Sequence, residues 1–451
     1  MTRHIRFTYS PAQLGDFAQQ VLEAAKRAGA SACECEVSEG HGLAVTVRRD
    51  EPETIEHNRD KGIGVTVYFG ERPHARRGHA STSDFTPGAL RSAVEAAAAI
   101  ARKTAEDDCA GPPERAELAR GAPELDLYHP WGLGTEDAVR LARRAERAAF
   151  ALSPKIANSE GATVSAQHAQ FVLANSLGFM RGFPTSRHTL ALSVIAADNG
   201  LMQREDWYSA SRVPAAVAEP EALGRYAGQR ALARLGARKI ATRQAPVLFE
   251  APVAIGLIGS FVSAASGANL YRKSSFLLDA LGTQVFAKGI GIEERPHERR
   301  GLASTPFDDE GVATQRRTVV RDGTLEGYFL GTYSARKLGM RSTGSAGGNH
   351  NLIVRPTGPG LAGMLRKLGR GLFVTELLGH GINLVTGDFS RGAAGYWVEN
   401  GEIAYPVEEV TVAGNLRDMF LNVAAAGSDT LVRGAYRCGS LLIDGLTIAG
   451  S

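Results

Sequence analysis

The chain has 451 residues, with 51 basic against 48 acidic side chains and a formal net charge of +3. That near-balance argues against a broad phosphate-binding face and removes nucleic acid as the default partner. Hydrophobic content of 43%, charged content of 22% and 52 glycines exclude disorder and describe a turn-rich globular chain with room for two or three cores.

No stretch approaches the ~18 uninterrupted apolar residues of a membrane span, and the first residues lack the apolar core of a signal peptide. Four cysteines are too few for a disulfide framework in a chain this long. The expectation is a cytoplasmic protein without a membrane partner.

Residues 11–28 place Leu14, Phe17, Ala18, Val21, Leu22 and Ala25 on one side of an amphipathic helix that Gly29 stops. Alternating runs at 33–37, 43–48, 54–58 and 62–69 predict strands, and a further strand at 78–82 leads to an alanine-rich helix over 87–102. Cys33 and Cys35 would share one face of a strand. Such a pair can ligate metal, but no second cysteine or histidine pair lies near, so both read as structural. The polar stretch 105–133, punctuated by Pro112, Pro113, Pro123 and Pro130, marks the first domain boundary.

Thr135 is placed to cap a helix running to Phe150. Strand-like runs follow at 163–167, 170–175, 189–197 and 201–208, the last two joined by an Asp198-Asn199-Gly200 turn, and a helix over 219–235 closes the unit. Val247, Leu248 and Phe249 form a short apolar strand. Pro252 then opens a helix whose Ile255, Leu257, Ile258, Phe261 and Val262 recur closely enough to bury most of its faces. Beyond it the chain is rich in glycine and short strands, with hairpin turns at 321–324 and 399–402. The fold class is therefore α+β: two smaller α/β layers, 1–110 and 111–242, followed by a large, mainly antiparallel β-rich domain over 243–451.

Several segments of that last domain carry a resemblance. They are Tyr-Arg-Lys-Ser-Ser-Phe-Leu-Leu-Asp at 271–279, Gly-Leu-Ala-Ser-Thr-Pro-Phe-Asp at 301–308, Ser-Ala-Arg-Lys-Leu-Gly at 334–339, Thr-Glu-Leu-Leu-Gly at 375–379, and the run 386–403. In this order they resemble the PmbA (TldE) half of the TldD/PmbA metallopeptidase family, strongly from about residue 246 onward. In the TldD half the helix carries a His-Glu-x-x-x-His zinc motif. Aligned back from Arg272 and Lys273, its three positions fall on Gly259, Ser260 and Ala264, none of which holds zinc in the usual way. Histidines five apart diverge by about 140° on a regular helix, so the family's motif needs a local distortion that this sequence does not. Cys438 stands where the TldD half has a cysteine near its metal.

The resemblance implies a non-catalytic subunit with no cofactor of its own. A TldD-type partner would supply zinc and the general base in a heterodimer, and this chain would complete a chamber or groove for unfolded or precursor peptides. The alternatives are a stand-alone homodimer that binds peptides without cleaving them, and an unrelated serine hydrolase in which Ser334 and Lys337 form a Ser-x-x-Lys pair. Residues for a peptide groove or partner contact are Arg272, Lys273, His350, His380, Asp388, Arg391 and Cys438. The segment 388–395 would let a peptide add to a strand edge, or Asp388 and Arg391 would brace a turn. The loop 343–350 would present amides to an anion or serve as an interface loop. Gly358-Pro359-Gly360-Leu361-Ala362-Gly363 matches a dinucleotide fingerprint without the surrounding βαβ units.

Overall fold

The computed structural model describes residues 6–450. Its first part contains α1 (Pro11–Arg27), β1 (Ala32–Arg48), β2 (Glu51–Phe69), β3 (Arg76–Thr82), α2 (Pro87–Lys103), α3 (Thr135–Phe150), β4 (Ile156–Asn175), β5 (Met180–Arg181), β6 (Pro184–Asp198), β7 (Leu201–Ser211) and α4 (Pro220–Ala233). All seven strands belong to one antiparallel sheet in the order β3-β2-β1-β4-β6-β7, with β5 beside β4. The two α/β layers expected on either side of 105–133 thus share one sheet. Strands expected in pairs are continuous, because Gly40, Gly42 and Gly62 interrupt the apolar alternation without interrupting the ladder. On β1, Cys33, Cys35 and Val37 pack under α1 and α2, whereas Leu43, Val45 and Val47 pack under α3 and α4. These positions have the same parity, so both helix pairs lie on one face of the sheet.

Ser10 caps α1 in a reciprocal capping box with Gln13. Thr135 is not a cap: it is the first residue of α3, and Gly134 precedes it as an N-cap without a side-chain bond. A different residue of α3 matters more. Arg49 and Asp50 turn β1 into β2 with both φ angles positive and no glycine, and the Glu146 carboxylate holds them by accepting both backbone N–H groups at 2.9 and 2.8 Å.

The second part contains β8 (Arg243–Phe249), α5 (Ala251–Ala264), α6 (Gly267–Tyr271), β9 (Ile292–Glu294), β10 (Arg317–Arg321), β11 (Thr324–Leu325), α7 (Thr332–Lys337), β12 (Leu352–Val354), α8 (Leu361–Leu368), β13 (Gly371–Leu378), β14 (Asp388–Glu399), β15 (Glu402–Asn415), α9 (Leu416–Leu421), β16 (Val423–Ala426), β17 (Leu431–Arg433), β18 (Tyr436–Cys438) and β19 (Leu441–Ala449). Two sheets form, β11-β10-β9-β12-β18-β17 and β15-β14-β13-β8-β19-β16, and β15 also pairs with β19, closing the second upon itself. The pairing is antiparallel except at β12/β18 and β13/β8, so the α+β class with a mainly antiparallel β-rich domain is observed. The hairpin turns stand where expected: Asn199-Gly200, Asp322-Gly323 and Asn400-Gly401 all have positive φ. The fingerprint at 358–363 runs into α8 between β12 and β13, which belong to different sheets, so no βαβ unit forms.

The two parts are tied by a buried ion network. Arg230 of α4 donates to both oxygens of Glu250 at 2.6 and 3.0 Å and to Glu205 of β7 at 3.1 Å. Arg234 binds Glu205 at 2.9 Å and also Glu376 of β13. Removing one member leaves buried charge without a partner. Arg230→Met is therefore expected to lower stability in urea titration by about 3–5 kcal/mol. Arg144→Met, at the exposed pair with Glu221, is expected to cost about 1 kcal/mol or less.

Candidate functional site

Strand β8 delivers the chain to Glu250, the N-cap residue of α5, and Pro252 occupies the first turn, where a missing N–H costs nothing. Leu257, Ile258, Phe261 and Val262 are buried, Phe261 against Phe286 and Phe420. The helix is not enclosed all round, however. Gly256 and Ser263 are exposed and Gly259 and Ser260 half-buried, so its open face carries only small residues. A Cβ added at Gly259 would find the Tyr436 hydroxyl as its nearest neighbour, 3.9 Å away. The Ser260 hydroxyl donates to the Gly256 carbonyl at 3.1 Å, and Ala264 is buried with its carbonyl accepting from Ser275.

Strand β18 packs against α5 and brings Cys438 into the same core. The fold thus unites the four positions the resemblance singled out, but their chemistry does not fit zinc. Gly259 and Ala264 have no donor atom. Burial, with a smaller contribution from the Asp429 charge, pushes the Cys438 thiol far up and keeps it protonated. Among the described residues, the one group of three closely spaced possible ligands is Asp107, Asp108 and Cys109. There the Lys337 ammonium already sits 3.0 Å from Asp107 and 2.8 Å from Asp108. Those hydrogen bonds push Lys337 upward and hold its proton, which unsuits it as the base of a Ser334–Lys337 pair. Ser334 itself donates to the Gly331 carbonyl at 3.1 Å.

The other residues singled out do not converge. Arg272 is exposed and stacks on Tyr271, Lys273 follows the C-cap of α6 with positive φ, and His380 lies on an exposed loop. The His350 ring meets the Gly344 carbonyl at 3.0 Å, and its backbone N–H donates to Glu294. Asp388 accepts from Thr386 and Asn415, while Arg391 donates to the Leu377 and Leu378 carbonyls, so the two do not brace each other. Nor is their strand edge free: β15 pairs along one side, and on the other Gly381 and Ile382 bond Ser390 and Phe389. The loop 343–350 turns inward, with the Thr343 and Ser345 amides on the Leu330 carbonyl and the Ala346 amide on Asp308.

Sequence reasoning missed a cleft of about 1100 Å³ where the helix-free face of the first sheet meets the second part. Glu34, Glu36 and Ser38 of β1 and Gly62, Gly64, Thr66 and Tyr68 of β2 line one side; Tyr271, Asp309, Glu310 and Tyr333 line the other. Burial is the main cause that raises Glu34, to about 7; Glu36 and Asp309 keep solvent-exposed faces, yet partial desolvation within the cleft raises them as well. Asp308, behind the cleft, is raised to about 7 by burial and the Glu310 charge, although three backbone amides donate to it. The signal was available: two glutamates alternating with Cys33, Cys35 and Val37, and an acidic run at 308–310.

Comparison with known proteins places this geometry. Residues 242–450 match the PmbA/TldA metallopeptidase C-terminal domain, 128–235 the central domain and 33–101 domain 1. The chain is 46% identical over 417 residues to the metalloprotease PmbA of Escherichia coli O157:H7, covering 92% of each chain. It belongs to the PmbA/TldD metallopeptidase family. Within that family, the TldD homolog of Haemophilus influenzae is 22% identical over 436 residues, 87% of each chain. The crystal structure of TldE from Thermococcus kodakarensis shares the fold, with a TM-score of 0.84 at 18% identity, over 96% of this chain and 100% of that one. No helix among the described residues is long and apolar enough to cross a membrane.

The raised carboxylates have a pH consequence. A carboxyl whose folded value lies above its unfolded value binds more protons when folded, so stability falls as pH rises through the interval between them. For Glu34 that interval runs from 4.5 to about 7, and its cost above pH 7 is up to about 3 kcal/mol. Glu34→Gln should flatten the decline in stability between pH 5 and pH 8 and stabilise the protein at pH 8; an unchanged slope in urea titrations would contradict this.

Proposed function

We propose that this chain is the TldE-like, zinc-free subunit of a TldD/TldE-type metalloprotease heterodimer that cleaves unfolded or precursor peptides. The observation that carries the reading is α5. It stands in the domain that matches the family's metallopeptidase module, yet offers Gly259, Ser260 and Ala264 at the positions the resemblance assigns to ligands and base. Far greater identity to a PmbA protein than to a TldD homolog supports the same side of the pair.

Zinc in the partner would acidify a bound water and polarise the peptide carbonyl. This chain's residues would do other work. Its small-residue helix face admits close approach of another backbone, and its cleft gives an extended peptide somewhere to dock. Four free, buried cysteines are in keeping with work in the cytoplasm.

The test is hydrolysis of an unfolded peptide by the purified chain, by a TldD-type partner, and by the two together. Activity in the mixture and none in this chain is expected. Metal-dependent hydrolysis by this chain alone would overturn the reading, and peptide affinity unaffected by the partner would favour a stand-alone binding protein.

A further inference from the structure

We infer that the cleft between the first sheet and the second part is a receptor site for a basic peptide segment, taking lysine or arginine side chains or a peptide amino terminus onto Glu34, Glu36 and Asp309. This deepens the proposed peptide-docking role and rests on it for its physiological meaning.

The floor is built by strand parity. Helices cover the face that carries Cys33, Cys35 and Val37, so Glu34, Glu36 and Ser38 point the other way, opposite Thr66, Gly64 and Gly62 of β2. A Cβ at Gly62 would meet nothing within 4 Å, and one at Gly64 only the His79 ring at 3.5 Å. Backbone is therefore open to a ligand along this strip.

The charges of the cleft are not balanced from within. Glu106 is paired with Arg76 and hydrogen-bonded to His74, and Asp107 is paired with Lys337. Glu34, Glu36, Asp309 and Glu310 remain, against Arg77 of the lining and Arg336, whose charge also reaches Glu34 and Glu310, so the carboxylates outnumber the cations. Glu310 gives one oxygen to the Thr332 amide at 2.7 Å. Glu34 accepts from the Tyr68 hydroxyl at 2.8 Å through Oε2, but its Oε1 is buried and has no hydrogen-bond partner. A buried carboxylate oxygen without a donor is costly, and an incoming ammonium or guanidinium supplies the missing bond and charge together.

Aromatic rings supply a second means of recognition. Tyr68, Tyr271 and Tyr333 line the same space, the last two edge-to-face with centroids 5.6 Å apart. Ring faces attract cations; Arg272 and Lys337 already lie 5.3 and 5.4 Å from the Tyr271 and Tyr333 centroids, so a ligand cation shares or competes for these rings. The free carboxylates are spread over floor and roof, and in the close-set trio of possible metal ligands, of which Asp107 also lines the cleft, Lys337 already holds Asp107 and Asp108. Spaced acceptors suit a chain carrying several donors better than one small ion. The volume also exceeds the ~300–1,000 Å³ of small-molecule pockets.

The experiment is fluorescence anisotropy on the full chain, without partner or zinc. It compares a short labelled peptide carrying lysine and arginine with its glutamine-for-cation counterpart. The basic peptide should bind about tenfold tighter at low salt, an advantage that shrinks as salt is added. Glu36→Gln, at an exposed side chain, should reduce it severalfold with the melting temperature unchanged, and the triple variant Glu34→Gln, Glu36→Gln, Asp309→Asn should abolish it. Equal binding of the two peptides would overturn the inference, as would an undiminished preference in a folded Glu36→Gln protein. A null result here leaves partner-dependent hydrolysis standing. A chain that selects basic peptides yet hydrolyses them unaided would keep this site and lose the zinc-free role.

Discussion

Two arginines four residues apart, Arg230 on α4 and Arg234 at its C-cap, fix the relation between the halves of the molecule. Arg230 and Arg234 reach Glu205 at the far edge of the first sheet, Glu250 at the N-terminus of α5 and Glu376 on β13. Such a cluster is held by geometry more than by net energy, because desolvation offsets much of the attraction. What it contributes is position. Glu250 is the residue from which α5 starts, so the helix that the resemblance aligns with a zinc-binding helix is oriented by a contact with the preceding domain.

That helix separates two roles a sequence often carries together. Its large residues, Leu257, Ile258 and Phe261, fill the core as any central helix would, so the fold does not depend on what the opposite face displays. The opposite face is then free to carry ligands or, as here, glycine and serine. Cys438 stays in place because it packs, buried and protonated. The zinc-free role and the intact family fold are therefore compatible.

The cleft arises at the other junction. Tyr333, Arg336 and Lys337 of α7 clamp the segment 107–112, through Asp107, Asp108 and the carbonyls of Cys109, Gly111 and Pro112. The polar, proline-punctuated stretch that reads in the sequence as a boundary is in the structure a strap that holds the cleft wall. Helices and turns were legible because their signals are local: Gly29 after the first helix, and the pairs Asn199-Gly200 and Asn400-Gly401. Strand continuity was not, because Gly40 and Gly42 mimic breaks that only the pairing with β4 reveals. The acidic residues of the cleft were visible in the sequence, but not that they share one site. Glu34 and Asp309 lie 275 positions apart and meet through topology alone. The strand edge at Asp388 failed through a contact no local pattern announces, the return of Gly381 and Ile382 along it.

The most direct measurement is the zinc content of this chain after chelator dialysis and zinc re-addition, alone and in complex with a TldD-type subunit. A zinc-free chain, with about one zinc per heterodimer carried by the partner, is the expected result. About one tightly held zinc in the isolated chain would contradict the central claim, for it would mean that ligands exist which Gly259, Ser260, Ala264 and a protonated Cys438 do not provide.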